Sequence, residues 1–72
     1  MNFRGVIEVL VRNGFQLTRQ KGSHRIYQGV VDGQMRLAVV SAHRESDDVK
    51  PGTLASIIRQ SGLPKRLFRS GN

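Results

Sequence analysis

The spacing of apolar residues changes twice along this chain, and that change constrains the fold more than any other feature. Near the N-terminus the apolar positions recur at the spacing of one helix face: Phe3, Val6, Ile7 and Leu10. Asn13-Gly14 then supplies a helix stop, because glycine accepts positive φ without strain. We therefore predict a first helix over about residues 3–13.

Three strands are predicted next. Apolar and polar residues alternate over residues 15–20, which is typical of a half-buried strand. A Gly22-Ser23 turn leads into residues 24–31, which are rich in β-branched and aromatic residues, and Asp32-Gly33 is a strong hairpin signal. Residues 35–41 are nearly continuous in apolar residues, so we expect this third strand to be the best covered of the three.

The remainder of the chain returns to helical spacing. Residues 42–50 are predicted to form a polar loop, after which Thr53 is a candidate cap for a second helix with an apolar stripe. Gly62-Leu63-Pro64 reads as the end of that helix. We expect residues 65–69 to add a final helical turn and residues 70–72 to fray. The apolar positions of this region are Leu54, Ile57, Ile58, Leu67 and Phe68.

The order helix, three strands, helix predicts a single α+β domain over residues 1–72. Strands joined by hairpins are antiparallel, and both apolar helix faces need a surface to cover. The economical arrangement places both helices on one face of a three-stranded sheet and leaves the other face open. This is the α-β-β-β-α architecture of double-stranded-RNA-binding domains.

Charge and composition narrow the function classes. Twelve Lys and Arg against five Asp and Glu give a net charge of +7, which favours a polyanionic partner over the plainer explanation of solubility. The absence of cysteine excludes disulfides, cysteine-ligated metals and thiol nucleophiles. The longest apolar run, residues 37–40, is too short to span a membrane, and no signal-peptide pattern is present, so we expect a cytoplasmic protein.

His24 is the leading candidate for chemistry. It follows a Lys-Gly-Ser turn at the start of a predicted strand, and an imidazole exchanges a proton near neutral pH, as RNA cleavage requires. The nearby cations are candidates to bind the phosphate, and a hydroxyl is a candidate hydrogen-bond donor. The plain alternative is a surface histidine. The candidate phosphate-binding residues are Arg19, Lys21, Ser23 and Arg25.

Strand alternation attaches a condition to this hypothesis. His24 and Ile26 point to one face of their strand, and Tyr27 points to the other. Because a catalytic group needs access to its substrate, the hypothesis requires Tyr27 to face the helices and His24 to lie on the open face.

Other candidates carry weaker signals. His43, in the loop after the third strand, is either a partner of His24 in acid–base chemistry or, as we favour, a loop histidine in water. The loop carboxylates lack the spacing of a calcium site, so we expect a solvated loop and no metal. The C-terminal cations either bind phosphates or complement helix ends. These groups are Glu45, Asp47 and Asp48, and Arg59, Lys65, Arg66 and Arg69.

Four blocks in this order and spacing resemble the HicA toxin family, and together they cover nearly the whole chain. They are Asn13-Gly14-Phe15, residues 19–24 (RQKGSH), residues 50–54 (KPGTL) and residues 58–63 (IRQSGL). The resemblance implies the same double-stranded-RNA-binding-like fold. It also implies a messenger-RNA interferase of a type II toxin-antitoxin system, which cleaves RNA without a metal or other cofactor and is inhibited by a HicB-type antitoxin.

The resemblance also bears on single residues. The catalytic histidine of the family's Gly-Ser-His motif corresponds to His24, whereas Arg25 stands where relatives often carry a second histidine. Two alternatives of other classes remain open. One is a non-catalytic RNA-binding module of the same fold, and the other is a protein-interaction domain whose charge suits an acidic partner.

Overall fold

The order of elements predicted from the apolar spacing is the order found in a computed structural model of the protein, which describes residues 1–69. Helix α1 is Phe3–Arg12, strands β1, β2 and β3 are Gln16–Lys21, His24–Val31 and Gln34–Ser41, and helix α2 is Pro51–Ser61. A short 3₁₀ turn, Lys65–Phe68, follows α2. The predicted fold class is therefore confirmed.

The three strands form one antiparallel sheet in the order β1-β2-β3, with β2 in the centre. At the β2–β3 hairpin, Asp32 and Gly33 both adopt positive φ, 52° and 79°, as a type I′ turn requires. The prediction that the third strand would be the best covered is wrong. β3 is an edge strand, and its alternate residues Met35, Leu37 and Val39 are exposed.

Both helices pack on the same face of the sheet, and the core lies between them. Its buried side chains come from both helices, β2, β3, the loop and the 3₁₀ turn, and from Phe15 just before β1, whereas all six residues of β1 are exposed. The buried core consists of Phe3, Val6, Leu10, Phe15, Tyr27, Ala38, Val40, Ala42, Val49, Ile57 and Phe68.

The loop over residues 42–50 is tied to the N-terminus, so its prediction as a polar loop is only partly correct. Ala42 and Val49 are buried in the core. The first backbone N–H groups of a helix lack partners within it. Here Phe3 donates to the Asp47 carbonyl at 3.0 Å and Arg4 donates to the Glu45 carbonyl at 2.9 Å. The loop therefore completes the N-terminus of α1.

The ends of α2 differ in how well they were predicted. Thr53 does not cap the helix, which begins at Pro51 with Lys50 as the capping residue. Proline suits a first helical position because its missing N–H needs no partner there. Gly62 ends the helix with φ 71°, as predicted, and Phe68 of the following 3₁₀ turn is buried. The expected fraying of residues 70–72 lies outside the described residues.

Within residues 1–69, no helix combines the length and apolar character needed to cross a membrane.

Candidate active site

His24 begins β2 immediately after a tight turn. Gly22 adopts φ 61°, a conformation that glycine reaches without strain, and it turns the chain from β1 into β2. Tyr27 is only 5% exposed and belongs to the core beneath the helices. Alternation along β2 therefore places His24 on the open face, where it is exposed. This is the orientation that a catalytic role requires.

Two of the candidate phosphate-binding residues share that face. Lys21 lies directly opposite His24, and Arg19 lies opposite Ile26. Residues directly opposite one another in an antiparallel pair point to the same face, and diagonal neighbours are about 7–8 Å apart. Lys21 and Arg19 are both exposed, so the structure places two cations beside the imidazole.

A bulge in β1 separates these cations from the apolar part of the strand. The register shifts between Leu17 and Arg19, so that Leu17 lies opposite Tyr27 instead of Gln28. Thr18 is the extra residue, and its hydroxyl donates to the Ile26 carbonyl at 3.2 Å. A regular strand would keep Leu17 and Arg19 on one face. The bulge instead turns Leu17 to the Tyr27 side and leaves Arg19 on the face of His24.

Ser23 and Arg25, the other two candidates, lie on either side of His24 in sequence. Ser23 is half-buried, and its carbonyl accepts the Ala42 N–H at 3.0 Å. Arg25 lies opposite Gln20 and Val40, on the helix side of the sheet. The structure therefore does not bring the Arg25 guanidinium to the face that carries His24.

Arg25 instead forms an ion pair with Glu45. Its Nη1 donates to Glu45 Oε2 at 2.8 Å, and the Arg25 side chain is only 18% exposed. The hydrogen bond to Glu45 raises the pKa of Arg25 above its ordinary value, partial burial opposes that change, and Tyr27 adds to the increase. The guanidinium therefore stays charged, and it joins β2 to the loop at the position next to His24.

This role of Glu45 was not predicted from the sequence, where the expectation was a carboxylate in a solvated loop. Besides Arg25, the Glu45 carboxylate approaches Arg4 Nε at 3.9 Å, and the Glu45 carbonyl accepts the Arg4 N–H. Asp47 also has an ion partner, Arg44 Nε at 3.5 Å. Nothing in the sequence separates a pairing carboxylate from its solvated neighbours when the partner is twenty residues away.

His43 lies at the same end of the sheet as His24. Ser41 is the β3 residue directly opposite His24, and the chain continues through Ala42 to His43, which is exposed. The C-terminal cations lie elsewhere. Lys65 and Arg66 belong to the 3₁₀ turn, where they line a groove of about 320 Å³ together with α2. Within residues 1–69, no three His, Asp or Glu side chains are grouped as metal ligands would be.

No curated protein sequence matched the chain. A family model described as the HicA toxin of bacterial toxin-antitoxin systems matches residues 3–63, which include every strand, both α-helices and His24. The chain therefore belongs to the HicA toxin family.

Proposed function

We propose that this protein is a metal-independent endoribonuclease, a messenger-RNA interferase of a type II toxin-antitoxin system, with His24 as its catalytic residue. One observation carries the proposal: an exposed histidine lies on the open sheet face with Lys21 directly opposite and Arg19 on the same face. This places a proton-transfer group beside two cations, and phosphodiester cleavage needs both.

The reaction starts from the RNA itself. The 2′-oxygen attacks the adjacent phosphorus as its proton passes to His24, and the bond from phosphorus to the 5′-oxygen breaks. The leaving oxygen gains a proton from the imidazolium or from water. The products are a 2′,3′-cyclic phosphate and a 5′-hydroxyl. Holding the 2′-oxygen in line with the leaving group supplies much of the acceleration, because orientation removes an entropic barrier.

The cations would stabilise the negative charge that develops on the phosphate in the transition state. Arg19 and Lys21 lie where they can bind the non-bridging oxygens while a substrate contacts His24. Ser23 and Arg25 were expected to share this work. Arg25 lies on the helix side in its pair with Glu45, so we assign phosphate binding to Arg19 and Lys21, and to Arg25 a role in positioning His24.

The partner we propose is a HicB-type antitoxin that covers the open face and blocks access to His24. Membership of a toxin family implies an antitoxin. A basic face favours an acidic partner, because complementary charge speeds association and excludes wrong partners. An interface that leaves His24 open to RNA would contradict this part of the proposal.

Cleavage of end-labelled RNA by the purified toxin in excess chelator tests the chemistry. We expect products with 2′,3′-cyclic phosphate and 5′-hydroxyl ends, and we expect His24→Ala to cleave at least about 100-fold more slowly. Because His24 is exposed, the variant should unfold at the wild-type temperature. Products with 5′-phosphate ends, or full activity in His24→Ala, would overturn the proposal. RNA binding without any cleavage by the wild type would favour the non-catalytic module.

A further inference from the structure

The open face of the sheet is divided into two ends of different chemistry. One end carries His24, Lys21 and Arg19. The other is mostly aliphatic, with Gln28 between Ile26 and Val30 on β2, and we call it the apolar end. Two of its residues, Val30 and Met35, are each 66% exposed and lie directly opposite one another. The apolar end consists of Ile26, Val30, Met35, Leu37 and Val39.

This apolar end extends well beyond the reacting group. Val30 is six residues from His24 along β2, which corresponds to about 20 Å at the rise of a strand. Exposed aliphatic residues that adjoin one another in this way mark a binding surface more often than isolated ones do. A phosphate held at His24 by Lys21 does not need them.

The composition of the apolar end favours a protein over RNA. Proteins that bind unpaired bases stack them on aromatic side chains. The apolar end carries no aromatic ring, because the Phe and Tyr residues of this chain all lie in the core: Phe3, Phe15, Tyr27 and Phe68. Aliphatic side chains provide no stacking platform but are typical of the centre of a protein interface.

The edge beside the apolar end is open for backbone pairing. The Val39 N–H points away from β2 and donates to Gln60 Oε1 of α2 at 2.9 Å. Because alternate residues of an antiparallel edge strand point the same way, the N–H and C=O groups of Met35 and Leu37 also point outward. The hydrogen bonds found outside helices and sheet ladders in residues 1–69 include none to Met35 or Leu37.

The opposite edge of the sheet is protected. β1 carries the bulge at Thr18 and the exposed cations Arg19 and Lys21, and both features are ways in which proteins block strand pairing. A strand that joins this sheet therefore has one favourable position, alongside β3 between the hairpin and Gln60.

We propose that the antitoxin is anchored here: an extended segment of it pairs with the β3 edge at Met35–Leu37 and packs apolar side chains on the apolar end. The inference rests on the proposed antitoxin partner and names where its binding energy lies. Contacts near His24 then block the substrate but contribute less affinity, because a few apolar anchors dominate most interfaces. The net charge of +7 opposes a second copy of this chain as the occupant.

The test combines threonine substitutions with a matched control. Val30→Thr, Met35→Thr and Leu37→Thr together remove apolar character without adding charge or lowering strand propensity. We expect the triple variant to bind the cognate HicB-type antitoxin about 30-fold more weakly than the wild type does, or worse, by calorimetry. Val11→Thr, at a 54% exposed position on α1, should bind within about twofold of the wild type. His24→Ala should bind the antitoxin with an affinity within about fivefold of that of the wild type.

Hydrogen exchange on the complex tests the edge directly. We expect the Met35 and Leu37 amides to become protected on binding and the amides of β1 to stay unchanged. Wild-type affinity in the triple variant, or protection of β1 instead of β3, would overturn the proposal. So would self-association of the free chain that the triple variant abolishes, since the occupant would then be a second copy.

The nuclease function and the antitoxin docking surface can be tested independently of each other. The triple variant should retain wild-type RNA cleavage in the absence of antitoxin, because none of its residues adjoins His24. A wild-type chain that binds the antitoxin along β3 but cleaves no RNA would contradict the nuclease function and still support this docking surface.

Discussion

Consecutive residues of β2 have different roles because their side chains lie on opposite faces of the sheet. His24 is on the open face and accessible to a substrate, whereas its neighbour Arg25 is on the helix side and forms an ion pair with Glu45. One step along a strand therefore separates a candidate catalytic group from a group that joins elements. Glu45 joins these elements. Its side chain pairs with Arg25 of β2, and its backbone carbonyl accepts the N–H of Arg4 in α1.

Replacing Glu45 by glutamine should reduce the free energy of unfolding by about 1–2 kcal/mol, since a hydrogen bond to a charged group is worth more than a neutral one. The figure is modest because the Glu45 side chain is 41% exposed, and water screens the pair. Urea denaturation measures the change.

The matched control is Asp48→Asn, which removes the same charge. Asp48 is exposed and has no ion partner within the described residues, so its substitution should change stability by less than about 0.5 kcal/mol. Equal losses in the two variants would mean that net charge, and not the pair with Arg25, determines the effect.

At the scale of elements, the central strand is shaped by what packs against it. Gly29 is buried in β2, and a Cβ atom built there would lie 2.7 Å from Phe15 Cδ1. Glycine usually weakens a strand, but here it admits an aromatic ring against the sheet. Phe15 is 1% exposed, so its ring can move aside only by displacing the core residues around it.

Gly29→Ala should therefore lower the free energy of unfolding by about 1–3 kcal/mol, the range for overpacking a core. The same change at Gly52, where an added Cβ meets open space in the first turn of α2, should not destabilise the protein and should raise the free energy of unfolding by up to about 1 kcal/mol, because alanine favours a helix more than glycine does. Thermal unfolding of the two variants and the wild type measures both changes in stability. A Gly29→Ala protein as stable as the wild type would show that the Phe15 ring relaxes freely.

At the scale of the whole molecule, exposed cations lie on both the sheet and the helices, but the candidate site is on the sheet alone. Arg19 and Lys21 accompany His24 on the sheet, while Arg12 and Arg59 are exposed cations of the helices. If RNA is bound at the site, only the first pair contacts its phosphates. Counterion release then makes affinity depend on salt through those contacts.

We expect the RNA affinity of the His24→Ala protein, in which the proposed cleavage is slowed, to fall steeply as the salt concentration rises. Arg19→Gln with Lys21→Gln should reduce the slope of log affinity against log salt by about 1.4, at about 0.7 for each lost contact to a single strand. Arg12→Gln with Arg59→Gln changes net charge equally and should leave the slope unchanged. Equal reductions of the slope in the two double variants would mean that RNA binding depends on the net charge of the protein and not on Arg19 and Lys21.

Several features followed from the sequence because they depend on neighbours along the chain. The helix spacing of Phe3, Val6 and Leu10, the Asp32-Gly33 turn and the Gly62 helix end are all local, and the structure contains each one. The element order, the family and the choice of His24 as the leading candidate came from the same local information.

Only the tertiary structure decided which surfaces these elements expose. The apolar residues of β3 predicted a covered strand, but a two-layer fold covers one face, and Leu37 lies on the other. The Thr18 bulge and the Arg25–Glu45 pair depend on contacts between residues eight and twenty positions apart. Such contacts leave no periodic signal, because their partners are chosen by how the sheet, the loop and α1 come together in space.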